Sequence, residues 1–151
     1  MSERVVFQGT LVNVHGIGVL IVGQSGIGKS LAAINLMRSG HKFIADDLLA
    51  ISKQEPGKLA GQALEENVRI EVRGLGIFEA QSLFEDAVEV SCPIDIMVEL
   101  TSYLPERDAG RIEPHISQTN IMGCFLDKIL VPLPSGMDPG LLIELIVRSR
   151  K

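Results

Sequence analysis

The sequence contains no tryptophan, one tyrosine and five phenylalanines, and its 14 Lys+Arg are outnumbered by 19 Asp+Glu, for a formal net charge of −5. It therefore has neither the basic run nor the stacking rings that a polyanion requires, and nucleic acid is not an expected partner. Cysteine is scarce too. Cys92 and Cys124 lie far apart, outside any Cys-x-x-Cys pair or Cys/His cluster, so no zinc site or redox motif is expected and both read as core thiols. No apolar run approaches the ~18–20 residues that cross a bilayer, and the stretch 19–22 has the length of a buried strand. Met1-Ser2-Glu3-Arg4 opens no signal peptide, which makes the cytoplasm the expected location.

What is present suits a globular fold. The 151 residues are 46% hydrophobic and 22% charged, show no repeat or linker, and read as one domain over 1–151. A domain of that size buries roughly 68–70% of the surface its unfolded chain exposes. Residues 4–7 and 10–14 suggest a strand pair interrupted at Gln8-Gly9, and residues 19–22 a central strand. Helical spacing over 29–39 stops at Gly40, and a short strand at 41–45 ends on Asp46-Asp47. A hairpin is expected from 48–52 and 58–63 around Glu55-Pro56-Gly57, an alternating strand at 68–72, and a short helix at 78–84. The stretch 94–100 alternates with Ile94, Ile96, Val98 and Leu100 on one side, 101–110 reads as an exposed loop, 128–133 as a last strand and 140–148 as a helix. The class is mixed α/β.

The strongest chemical signal is Gly23-Gln24-Ser25-Gly26-Ile27-Gly28-Lys29-Ser30, a full phosphate-binding P-loop pattern between an expected strand and an expected helix. Glycines let backbone N–H groups approach phosphates, and the helix N-terminus adds positive potential. Lys29 can reach the β/γ-phosphates and Ser30 can coordinate Mg²⁺. Asp46 and Asp47 end the strand after the P-loop helix, where an open α/β sheet gathers ligand groups. Adjacent carboxylates there point to different sides, so one can face metal and phosphates while the other accepts a hydroxyl proton; as an isolated pair they would more often cap a turn. In Ile70-Glu71-Val72-Arg73-Gly74-Leu75-Gly76-Ile77, Glu71 is an inward metal ligand or the solvent-facing partner of Ile70 and Val72, and alternation favours the second. His15, His41 and His115 lack the mutual spacing of a metal site and read as structural histidines.

Several ordered motifs together resemble the catalytic domain of HPr kinase/phosphorylase, the bacterial enzyme that phosphorylates a serine of the phosphocarrier HPr. They are Gly18-Val19-Leu20-Ile21 leading into the P-loop, Arg38-Ser39-Gly40-His41, Ala45-Asp46-Asp47, the Glu-x-Arg-Gly-x-Gly stretch within 70–77, Val131-Pro132 and Leu142-Ile143-Glu144. The resemblance implies the HPr kinase/phosphoenolpyruvate carboxykinase-like fold, a single P-loop-containing kinase domain with a mixed β-sheet, using ATP and Mg²⁺. It implies Asp46 as the seryl proton acceptor, Lys29 and the P-loop on the phosphates, Ser30 and Glu71 on Mg²⁺, and Asp47 as a further contact, reversing the solvent-facing reading of Glu71. The family's other catalytic arginine has approximate counterparts in Arg107 and Arg111, of which Arg107 is preferred. A homo-oligomer, as a hexamer, is implied as well.

There are departures. Gln8-Gly9 stands where the family has His-Gly, and Leu31 where Glu usually follows Gly-Lys-Ser. The late loop Pro132-Leu133-Pro134-Ser135-Gly136-Met137-Asp138 lacks both arginines of the family's Pro-x-Arg-Pro-Gly-Arg-Asn pattern, which is tied to the reverse, phosphorylase reaction. The preferred expectation is an HPr-type serine kinase with a weak reverse reaction. Its rivals are a P-loop kinase for another protein or a small hydroxyl acceptor, and a noncatalytic ATP-binding regulator. The chain is expected to begin just before the catalytic core and to end in or after its first C-terminal helix, as a minimal or truncated form.

Overall fold

The computed structural model describes residues 3–150. Its centre is a six-stranded mixed sheet in the order β11-β12-β10-β3-β2-β4. These strands are β2 (Thr10–Val14), β3 (Ile17–Gly23), β4 (Lys42–Ala45), β10 (Ile96–Ser102), β11 (His115–Ile121) and β12 (Cys124–Leu133). A second, four-stranded antiparallel sheet runs in the order β1-β5-β6-β9, from β1 (Arg4–Gln8), β5 (Leu48–Glu55), β6 (Lys58–Ala63) and β9 (Ser91–Ile94). β7 (Arg69–Val72) and β8 (Gly76–Glu79) form a separate hairpin.

Alternation along the central strands sends side chains into two cores. Val12, Val19, Ile21, Ile96, Val98 and Leu100 face the helices α1 (Lys29–Arg38) and α4 (Pro139–Ser149). Leu11, Leu20 and Met97 face Leu49, Ile51, Leu59 and Ile94 of the small sheet. The result is three layers, helices on sheet on sheet, which explains why residues 19–22 read as a continuous apolar run: both faces of β3 are covered. In α4 the buried positions Gly140, Ile143 and Val147 follow the helical period, and they pack on the Ala32, Ala33, Leu36 and Met37 face of α1.

The chain crosses between the two sheets at three short corners, and two of these depart from the expected strand pattern. β1 does not pair with β2. At Gly9 the chain turns out of the small sheet, where β1 lies against β5, into the large one, where β2 lies between β3 and β4. The expected strand at 94–100 breaks at Asp95, so that Ile94 belongs to the small sheet and the second core while Ile96, Val98 and Leu100 face the helices. Residues 76–79 pair with β7 instead of opening a helix, which leaves only the single turn α2 (Ala80–Leu83). Within the expected loop 101–110 lies the one-turn helix α3 (Pro105–Asp108), and the Asp108 side chain is buried. β11 was not expected: its inner-outer pattern carries polar residues on both faces because it is the exposed edge of the sheet. The hairpin through Pro56-Gly57 forms as the turn residues dictate.

Cys92 and Cys124 are free and buried. Burial, with Glu89 and Asp95 nearby, pushes the Cys92 thiol up to about 12, as expected of an inert core thiol. Among the described residues no helix is long and apolar enough to cross a membrane.

Candidate active site

β10 pairs in parallel with both β3 and β12, while β2 is antiparallel to β3 and to β4. The C-terminal ends of β3, β4, β10 and β12 and the N-terminal end of β2 therefore share one edge of the sheet. From that edge emerge the P-loop, Asp46-Asp47, the α3 turn and the late loop 134–138. Ligand groups collect on such an edge because several strands can each contribute a connecting loop there.

The P-loop geometry depends on two glycines in particular. Gly23 has φ 149, and a Cβ there would lie 2.7 Å from the Leu100 carbonyl oxygen of the neighbouring strand. Gly26 has φ 83, and its Cβ would lie 3.1 Å from an Arg73 guanidinium nitrogen. Both positions require the left-handed region, and at Gly23 the backbone carbonyl opposite also requires the missing side chain. Gly28 is the N-cap of α1 and supplies no side-chain cap, which leaves the first-turn amides to an anion. The Lys29 ammonium is folded back on its own loop and donates to the carbonyls of Gly23 (2.6 Å) and Gln24 (3.0 Å).

Asp46 is brought to Ser30. The Ser30 hydroxyl donates to Asp46 Oδ2 at 2.9 Å, and the hydroxyl of the fully buried Thr10 donates to Oδ1 at 2.8 Å. The carboxylate is thus held in one orientation from both sides. Asp47 points outward, is exposed and has φ 72; its carbonyl accepts the Gly9 amide at 2.8 Å. A left-handed non-glycine residue at a ligand edge is a strained backbone position of the kind found in functional sites. Gln8, in place of the family's histidine, stands opposite Leu48 immediately beside this corner. Below it a cleft of about 150 Å³ is lined in part by Asp46, Asp47, Leu64, Val68 and Arg69.

Glu71 is exposed and Ile70 is fully buried, so the alternation of β7 is the one its sequence suggests. Arg73, at the tip of the same hairpin, reaches the P-loop, where its guanidinium donates to Ser25 Oγ at 3.4 Å. Arg107 forms a fork on Asp108, 2.7 Å to Oδ1 and 2.8 Å to Oδ2, and also donates to the Ser102 carbonyl at 2.9 Å. The guanidinium fork and the Leu104 amide hold the Asp108 carboxyl well below the usual carboxylate range. Arg111 donates to the Glu113 carbonyl. Two site residues escaped the sequence reading. Arg73 was visible inside the Glu-x-Arg-Gly-x-Gly stretch; Thr10 had no local signal, since its partner lies 36 residues away.

The late loop closes the edge on the other side. Pro139 packs beside Gly28, and Asp138 caps α4 by accepting the Gly140 amide at 2.9 Å while also accepting Asn35 of α1. The loop carries no arginine toward the P-loop.

Residues 1–151 match the family model described as the HPr Serine kinase C-terminal domain. An HPr kinase/phosphorylase of Caldicellulosiruptor bescii is 33% identical over 154 residues, covering 100% of this chain and 49% of the relative. One from Geobacillus kaustophilus is 36% identical over 147 residues, covering 95% and 47%. The chain thus spans about half the length of the curated relatives it matches. The solved structure of the Hpr(Ser) kinase/phosphatase from Coxiella burnetii superposes with a TM-score of 0.84 at 30% identity, covering 97% of this chain and 95% of that one. With its whole length matched, its α/β layers reproduced and a complete P-loop on the ligand edge of the sheet, the chain belongs to the HPr serine kinase C-terminal domain family.

Proposed function

We propose that this chain is the catalytic domain of an ATP- and Mg²⁺-dependent serine kinase acting on HPr. The observation that carries the reading is the Thr10-Asp46-Ser30 arrangement at the mouth of the P-loop, a carboxylate oriented by two hydroxyls beside a phosphate cradle. In this role Lys29 leaves its loop carbonyls for the nucleotide phosphates, joined by the amides of the P-loop. Asp46 accepts the proton of the seryl hydroxyl as the serine oxygen forms its bond to the γ-phosphorus and the bond to the leaving ADP oxygen breaks. The donor types suit a hard cation, because a Ser30 hydroxyl that gives its proton to Asp46 still has lone pairs to offer, and Asp47 and Glu71 are exposed carboxylates. Ser30 and Glu71, with Asp47 as a further contact, would hold Mg²⁺, which when bound neutralises phosphate charge. Arg107 is the proposed catalytic arginine; to reach a phosphoryl group it must release Asp108.

The Ser30–Asp46 bond also favours a second assignment, in which Asp46 faces the metal side and the outward Asp47 takes the proton. Two variants decide between them. Asp46→Asn should abolish transfer from labelled ATP to HPr while leaving nucleotide affinity within about threefold, since a base contributes to the transition state alone. If Asp46→Asn still transfers phosphate and Asp47→Asn does not, the base is Asp47. ATP binding without transfer to HPr, to other proteins or to small hydroxyl acceptors would instead indicate a regulator.

A further inference from the structure

Three side chains with no part in the phosphate edge converge at the opposite end of the sheet. His15 lies in the turn between β2 and β3, His41 immediately precedes β4, and Glu144 projects from α4. The two imidazole rings meet edge to face with centroids 4.6 Å apart. His15 Nε2 is 4.0 Å from Glu144 Oε1, and His41 Nε2 is 3.6 Å from Glu144 Oε2. One ligand atom from each of the three lies within 4.8 Å of the others. His41 is only 7% exposed, yet its Nε2 has no hydrogen-bond partner. A separation of 3.6 Å is too long for a hydrogen bond, and a buried polar atom left unpaired is destabilising.

We propose that His15, His41 and Glu144 form a binding site for a divalent metal of the zinc class, separate from the phosphate edge. Tetrahedral bonds of ~2.0–2.2 Å place neighbouring donor atoms about 3.3–3.6 Å apart, so the histidine–carboxylate separations of 3.6 and 4.0 Å lie within a few tenths of an ångström of the bound geometry. Two imidazoles with one carboxylate select a borderline cation such as Zn²⁺ over Mg²⁺ or Ca²⁺, which prefer oxygen ligands throughout. The site is reachable, because the His15 and Glu144 side chains are 27% and 21% exposed. Its carboxylate is already oriented from outside: Arg148 donates to Glu144 Oε1 through both Nε and Nη2 at 3.1 Å. The three ligands come from a turn, a strand entry and a helix, so the metal ties the C-terminal helix to the far end of the sheet. Such an ion binds the folded chain preferentially and stabilises it.

The inference does not rest on the kinase assignment, and its test needs neither nucleotide nor HPr. The full chain, stripped with chelator, is titrated with Zn²⁺ alone by calorimetry and then melted with and without the ion. One Zn²⁺ per chain and a raised Tm are expected. Asn tolerates the left-handed backbone of residue 15 (φ 54), so His15→Asn is the least disruptive ligand change. It should weaken binding at least ~10-fold and remove the Tm rise, as should Glu144→Gln, while His115→Ala should do neither. Circular dichroism confirms that each variant is folded, and either ligand variant alone suffices if the other is not. Absence of Zn²⁺ uptake by the wild type, unchanged affinity in the folded ligand variants, or loss of binding in Asp46→Asn would overturn the site.

Discussion

Asp46 and Asp108 are both carboxylates on this edge of the sheet, and their surroundings differ. Asp46 accepts two neutral hydroxyls, from Thr10 and Ser30, and is only partly buried. Asp108 is buried against a guanidinium fork and a backbone amide, with His115 Nε2 at 3.4 Å, and is committed to staying ionised. Its folded-state pKa lies below the unfolded one, so the folded state binds the proton more weakly. The resulting stability is complete above the ordinary carboxylate range and is lost as pH falls below about 4. Urea unfolding of the wild type and Asp108→Asn should therefore differ most at neutral pH, with the gap closing progressively below about pH 4. A gap independent of pH would show that the ion pair does not set acid sensitivity.

At the scale of elements, the corners between the sheets carry the constraint. Where β9 passes into β10, the Gly18 amide donates to Asp95 Oδ2 at 2.8 Å, and the Asp95 amide donates to the Gly18 carbonyl at 2.8 Å. A Cβ on Gly18 would fall 1.5 Å from the Pro93 carbonyl oxygen, in rigid backbone on both sides. Gly18→Ala should accordingly destabilise the chain by about 3 kcal/mol or more, read as a lower urea midpoint. A midpoint within the error of wild type would mean that the sheets can part at this corner. The P-loop begins at the other end of the same strand, so a corner that holds β3 in place also holds Gly23 against Leu100.

At the scale of the molecule, charge is spread unevenly over the ligand edge. Lys29, Arg73 and Arg107 stand there, but the late loop between β12 and α4 contributes none of the arginines its family pattern carries. Binding of free phosphate depends on such cations. Phosphate-dependent dephosphorylation of phospho-HPr, assayed as pyrophosphate release, should be weak or absent beside the proposed kinase reaction; robust release would place the phosphate site elsewhere. The resemblance also implies a hexamer, and exposed Val90, Ile112 and Phe125 are apolar surface that subunit contacts could cover. Light scattering should give a mass well above the 16.4 kDa chain, and a mass equal to it would dismiss the assembly.

The P-loop, Asp46-Asp47, the Pro56-Gly57 hairpin and the two main helices were determined by the sequence itself, because each depends on residues close along the chain: glycines at left-handed positions, a turn pair, a helical period. Alternation likewise placed Ile70 inward and Glu71 outward. Tertiary structure alone decided which strands pair and what meets across them. β1 reads as the partner of β2 yet lies on β5, because a single glycine corner suffices to move a strand from one sheet to the other and leaves no periodic trace. Thr10 meets Asp46 only through the pairing of β2 with β4. His15, His41 and Glu144, separated by 26 and 103 residues, meet only because the β2–β3 turn, the entry to β4 and α4 arrive at the same end of the sheet. Contacts of that kind depend on strand order, and no spacing in the sequence encodes them.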